Sequence, residues 1–123
     1  MQTDLSTRSG RIVSDSNPLP ASSGTDVVTA LAAVAVTSTS ATIDLGTARS
    51  NHTMQTVVTG GPTVSATLQG SLDGTNWVTL ATSTSATGDM QHAVDKPVRY
   101  LRVVLGTFTG GTAPTFTARV CSQ

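Results

Sequence analysis

The sequence contains no glutamate, a single lysine, a single cysteine and only four aromatic residues in 123. Each scarcity excludes something. Helix faces are normally written in Glu, Lys, Leu and Gln, and a chain this poor in them is not a helical protein. A lone Cys121 forbids an internal disulfide and rules out a cysteine zinc cluster. The longest apolar stretch, from Thr29 to Val36, is eight residues and interrupted, far short of a membrane span. The first residues show no cationic segment leading into an apolar one, so no secretory signal is expected. With the lone thiol, this points to folding in a reducing cytoplasm. Six arginines and Lys96 balance seven aspartates, and the basic residues are scattered. No cationic stripe for a phosphate backbone results, so neither nucleic acid nor membrane is expected as a partner.

What is abundant points the other way. Thr (23) and Ser (14) make up 37 of the 123 residues, with Val (14) and Ala (13) next. The fold class expected is all-β, in one domain of ordinary length. Residues 1–24 differ from the rest: rich in Ser, with Pro18 and Pro20, and with one short apolar island at Ile12-Val13. The prolines push Asn17 and Leu19 toward extended backbone. The segment has no core of its own and is read as an extended arm, followed by a sandwich domain over residues 25–123. Such an arm either trails in solvent or lies on another chain, and the reading favours docking.

From Thr25 onward, short runs alternate with turn residues. Strands are expected over Asp26 to Val36, Thr42 to Gly46 and Met54 to Thr59. The clearest run alternates Val64, Ala66, Leu68, Gly70 and Leu72 with Thr63, Ser65, Thr67, Gln69 and Ser71. Asp73-Gly74-Thr75-Asn76 is a hairpin signal, and Trp77-Val78-Thr79-Leu80 is expected to return as a strand with Trp77 in the core. Further strands follow at Asp89 to Val94, at Val98 to Leu105 with Leu101, Val103 and Leu105 inward, and at Thr115 to Val120 with Phe116, Ala118 and Val120 inward. Gly106 to Gly111 is expected to turn. Seven or eight strands at this spacing predict a two-sheet antiparallel β-sandwich, jelly-roll or discoidin-like. Gly60-Gly61-Pro62 and Gly110-Gly111-Thr112-Ala113-Pro114 echo one another, each followed by an alternating strand.

Reactive chemistry is hard to assemble from this inventory. No Gly-x-Ser-x-Gly elbow accompanies the many serines, and His52 and His92 are read as exposed or hydrogen-bonded side chains. Asp44, Asp73, Asp89 and Asp95 offer no singled-out carboxylate pair. Asp73 is a turn residue rather than a calcium ligand. The expectation is no enzyme, no metal and no cofactor. A sugar platform would have to be built on Tyr100 and Phe108, with Arg49 or Arg102 on polar groups, because Trp77 and Phe116 are assigned inward. Arg99 or Arg102 is expected to pair with an Asp on the surface.

The segments Ser71-Leu72-Asp73-Gly74-Thr75-Asn76-Trp77 and Arg99-Tyr100-Leu101-Arg102 resemble the signature of discoidin-like (galactose-binding-like) β-sandwiches. That resemblance implies a strand-turn-strand unit and, in binding members, ligand contacts from variable loops at one end. The same segments, with the Gly-Gly turn, the Thr/Ala/Val/Gly-rich composition and the N-terminal arm, are also similar to small structural proteins of tailed bacteriophages. That second resemblance implies a virion protein made in the host cytoplasm: a capsid decoration protein or, alternatively, a tail or connector component. Its partners would be the major capsid protein or other virion proteins. The contacts are expected at Arg8, Arg11, Ile12, Val13 and Leu19 of the arm and on the sandwich. Short, low-entropy Thr side chains on a rigid sheet lose little freedom when covered. A closed dimer or trimer would shield strand edges that carry little Lys or Glu.

Overall fold

The computed structural model describes residues 26–123. The arm, with Arg8, Arg11, Ile12, Val13 and Leu19, lies outside the described residues. Nine strands follow in order: β1 (Val28–Val34), β2 (Ser38–Thr39), β3 (Ile43–Arg49), β4 (His52–Thr59), β5 (Thr63–Ser71), β6 (Val78–Ser83), β7 (Met90–Ala93), β8 (Val98–Thr109) and β9 (Thr115–Ser122). The strand beyond the expected seven or eight is the two-residue β2. One sheet has the order β1-β9-β4-β7. The other has the order β2-β8-β5-β6, with β3 also on β8. Every pairing is antiparallel. The two-sheet sandwich predicted from composition and periodicity is the architecture found.

Alternation places the core. On β5, Val64, Ala66 and Leu68 point between the sheets, on β8 Leu101, Val103 and Leu105, and on β9 Phe116, Ala118 and Val120. Met54 completes the centre from β4. Three expectations fail, each for a local reason. The β5 alternation stops at Ser71, which is buried, and Leu72 is 67% exposed because the chain has already left the sheet for the Asp73 turn. Gly106 does not begin a turn. Ser65 pairs with Thr107 and Ala66 with Leu105, so Gly106 is the extra residue of a β-bulge inside the twelve-residue β8. The bulge shifts the alternation by one and turns Phe108 inward, where it is 8% exposed and meets Phe116 edge to face at 6.4 Å.

The echo between the two Gly-Gly turns has a structural meaning. They lie against each other at one end of the sandwich. Thr112 N donates to Gly60 O at 2.8 Å, and the Thr59 and Thr115 hydroxyls are 2.7 Å apart. The β4–β5 and β8–β9 connections thus close that end as a pair.

Candidate functional site

The two segments that carry the family resemblance meet on the outer face of the five-stranded sheet. The turn after β5 is organised by one carboxylate. Asp73 Oδ1 accepts from Ser71 Oγ (2.8 Å), Thr75 N (2.9 Å) and Asn76 N (2.8 Å), and Oδ2 accepts from Asn76 Nδ2 at 2.7 Å. Ser71 Oγ in turn accepts from Gly74 N at 2.9 Å. The hydrogen bonds from Asn76 and Thr75, led by their backbone N–H groups, hold the Asp73 carboxyl far below the ordinary range. Trp77 is not a core anchor. It precedes β6, is half-buried on the outer face, and carries the Arg102 guanidinium 4.3 Å from its ring centroid. Arg102 Nε donates to Gln69 Oε1 at 2.7 Å. Arg99 supplies the expected surface ion pair, with Nε 3.0 Å from Asp44 Oδ1, and its guanidinium also stands 5.3 Å from the Tyr100 ring centroid. Signature residues therefore satisfy one another. They are a folding device.

That consumption of polar groups recurs elsewhere. His52 is 2% exposed; its Nε2 lies 3.0 Å from the Lys96 carbonyl, which can only accept, so Nε2–H is the donor there. Nδ1 then takes the proton of Ser122 Oγ at 2.7 Å. A serine on a histidine has the outline of a nucleophile and base, but both side chains are sealed inside the sandwich end. His92 Nδ1 makes an exposed cross-strand contact to Thr53 Oγ1 at 3.1 Å. Burial pushes the Asp89 carboxyl up, but hydrogen bonds from Ser83, Gln91 and Thr56 outweigh it and leave the group below its usual value. Among the described residues, no three His, Cys, Asp or Glu side chains come together as a metal site. Phe108, buried, offers no ring to a sugar. Tyr100 remains half-exposed, with Arg99 over its ring.

The carboxylates give a testable pH dependence. Asp44 is held low chiefly by the hydrogen bond from Arg99, Asp73 by the turn amides and Asp89 by its donors. Each favours the charged form in the folded state relative to an unfolded value of about 3.9. Their stabilisation is present above about pH 4 and is lost as pH falls through the lowered folded values. The melting temperature of the protein should therefore be flat from pH 7 to about 5 and fall below about 4. Asp73→Asn should flatten part of that acid slope, and a thermal-melt series against pH reads both.

Three concave regions remain, and one, about 120 Å³ over the outer face of β4, β7 and β9, is bordered by Val27, Thr53, Gln55, Met90, Arg119 and Cys121. Another, of about 310 Å³, opens at the sandwich end and is lined by Gly70, Leu72, Asp73, Asn76, Val78 and Pro97. Leu72 and Val78, 67% and 58% exposed, give it an apolar wall. The third, about 110 Å³, lies between β1 and β3, where Val28, Ile43, Leu45, Leu101 and Val120 form the floor and Asp26 and Asp44 stand at the rim. None of the three is visible in the sequence as a cleft. An apolar Leu72 directly before a turn aspartate was the available signal for the largest.

No family model matches the chain, and no curated protein matches it in sequence. Solved structures do match in three dimensions. The SPBc2 prophage-derived protein YomS superposes with a TM-score of 0.58 at 8% identity, over 85% of this chain and 98% of its own. The module CBM32-3 of a family 31 glycoside hydrolase from Clostridium perfringens gives 0.52 at 17% identity, over 78% of this chain and 72% of that one. A family 89 glycoside hydrolase from the same organism gives 0.52 at 13% identity, and there the chain spans only 14% of the enzyme. What is shared is the fold. At these identities the likeness establishes a two-sheet β-sandwich fold in common with these structures and goes no further.

Proposed function

We propose that this protein is a non-enzymatic structural component of a tailed-phage particle, a capsid decoration protein that joins the shell or its neighbours through the N-terminal arm and the sandwich surface. The observation carrying this reading is the end-to-end correspondence with a protein of prophage origin, 98% of whose chain is matched, against 14% for the glycoside hydrolase. A sandwich of this fold thus accounts for nearly the whole chain of that prophage-derived protein, which supports the reading. The site chemistry agrees. Asp73, Asp89, His52 and Ser122 are committed to internal hydrogen bonds, while Val27, Val57 and Met90 are exposed and uncharged. A surface of small hydroxyl and aliphatic side chains on a rigid sheet suits covering by another protein, and copy number in a shell multiplies modest contacts.

The test is deletion of residues 1–24 in a phage that encodes this chain. Occupancy of purified particles, read by densitometry, should drop at least about tenfold while circular dichroism of the truncated chain stays β-rich. Wild-type occupancy would remove the arm from the account, and recovery of the full chain in tails would move it to a tail or connector position. A second reading, a glycan-binding module, draws on the CBM32-like fold, the 310 Å³ cleft and the surface position of Tyr100. A glycan array without signal above background disposes of it.

A further inference from the structure

We propose that the cleft between β1 and β3 receives the Arg11-Ile12-Val13 segment of a second copy of this chain, so that copies are joined by exchanged arms. The inference rests on the assembly role proposed above and names the partner and the landing site. The cleft is apolar at its floor and acidic at its rim, with Asp26 and Asp44 above Val28, Ile43, Leu45, Leu101 and Val120. At about 110 Å³ it is somewhat smaller than a cavity that takes benzene, which suits one branched aliphatic side chain. The segment preceding the described residues contains one pair of adjacent β-branched aliphatics, Ile12-Val13, with Arg11 directly before it and Arg8 three residues earlier. Asp44 is already paired with Arg99, so Asp26 is the rim carboxylate that meets an incoming cation, and apolar side chains next to Arg11 match the apolar floor beside it. Asp15 follows two residues beyond Val13, so only the stretch up to Val13 carries this complementarity.

Strand placement adds a second element. Among the described residues β1 and β3 each pair with one neighbour only, β9 and β8 respectively, so both flank the cleft as sheet edges. An extended segment entering there can use free main-chain groups as well as side-chain burial. Reach and the proline bias together favour another copy's cleft over the chain's own. Asp26 itself lines the cleft, and twelve residues lie between it and Val13. Extended, that length spans about 40 Å. A domain of about 100 residues has a radius of gyration of only about 13 Å. Docking at home would require the chain to fold straight back on itself, against the extended bias of Pro18 and Pro20. A neighbouring copy needs no reversal, and reciprocal exchange closes a symmetric oligomer.

Cys121, a free thiol between the inward-facing Val120 and Ser122, borders both this cleft and the shallow region on the outer face of β4, β7 and β9, and supplies the probe. Full-length Ile12→Cys, purified without any particle and mildly oxidised, should give a disulfide-linked species of twice the chain mass on a non-reducing gel. It should form at least about tenfold faster than in a Gln2→Cys control, and Ile12→Cys with Cys121→Ser should give none. Cross-linking no faster than the control overturns the proposal, as does loss of both thiols at unchanged mass, which would place the arm in its own cleft. Because no particle is present, this outcome is independent of the particle-occupancy experiment. Exchange without incorporation would sink the virion reading alone.

Discussion

Alanine at Gly60 or Gly111 is expected to cost the domain about 3 kcal/mol or more, whereas alanine at Gly61 or Gly110 should cost only about 1–2 kcal/mol. All four have φ between +69° and +86°, so the backbone strain of an L side chain is common to them. Contact is what separates them. A Cβ on Gly60 would stand 2.5 Å from Thr112 O and 2.7 Å from Pro114 Cα, and one on Gly111 would stand 2.5 Å from Gly60 O. Those are main-chain atoms of the opposite turn and cannot swing aside. At Gly61 and Gly110 nothing lies within 4 Å. For a domain of this size the difference corresponds to melting temperatures lower by about 12–25 °C at the tight pair and by about 4–15 °C at the open pair. Calorimetry on the four single variants reads it directly. Equal losses at all four would mean that the two turns do not pack together, and the account of the sequence echo would fall with them.

That echo illustrates which parts of the molecule were legible in the sequence. Local signals held: period-two alternation gave the inward faces of β5, β8 and β9, and Asp73-Gly74 turned the chain where expected. Two Gly-Gly motifs fifty residues apart were visible as a repeat, but their mutual contact is a tertiary fact that no local pattern encodes. Phe108 shows a subtler failure. A single bulge residue at Gly106 inverts the alternation downstream, and a glycine within an apolar run reads equally well as a turn or a bulge. Trp77 was misplaced because a large aromatic beside a hairpin normally goes inward, whereas here an arginine from β8 covers its ring on the outer face. The β1–β3 cleft was invisible because its lining comes from four separate strands and one residue before β1.

The buried histidine supplies the other large effect. His52→Ala should destabilise the domain by about 3 kcal/mol, although His52 sits at the first residue of β4, where end-fraying would normally make substitutions mild. The reason is that one imidazole ties three pieces of chain: the start of β4, the end of β9 through Ser122 Oγ, and the connection into β8 through the Lys96 carbonyl. Removing the ring takes a donor from the carbonyl and an acceptor from the hydroxyl at a site where water is excluded, and each lost partner costs about 1–3 kcal/mol. Ser122→Ala alone removes one of those links and should cost about 1 kcal/mol. The double variant should then lose less than the sum of the two, with a coupling of about 1 kcal/mol in a urea-denaturation cycle. Strict additivity would mean that the two side chains stabilise the sandwich end independently, and the histidine would then act through packing alone.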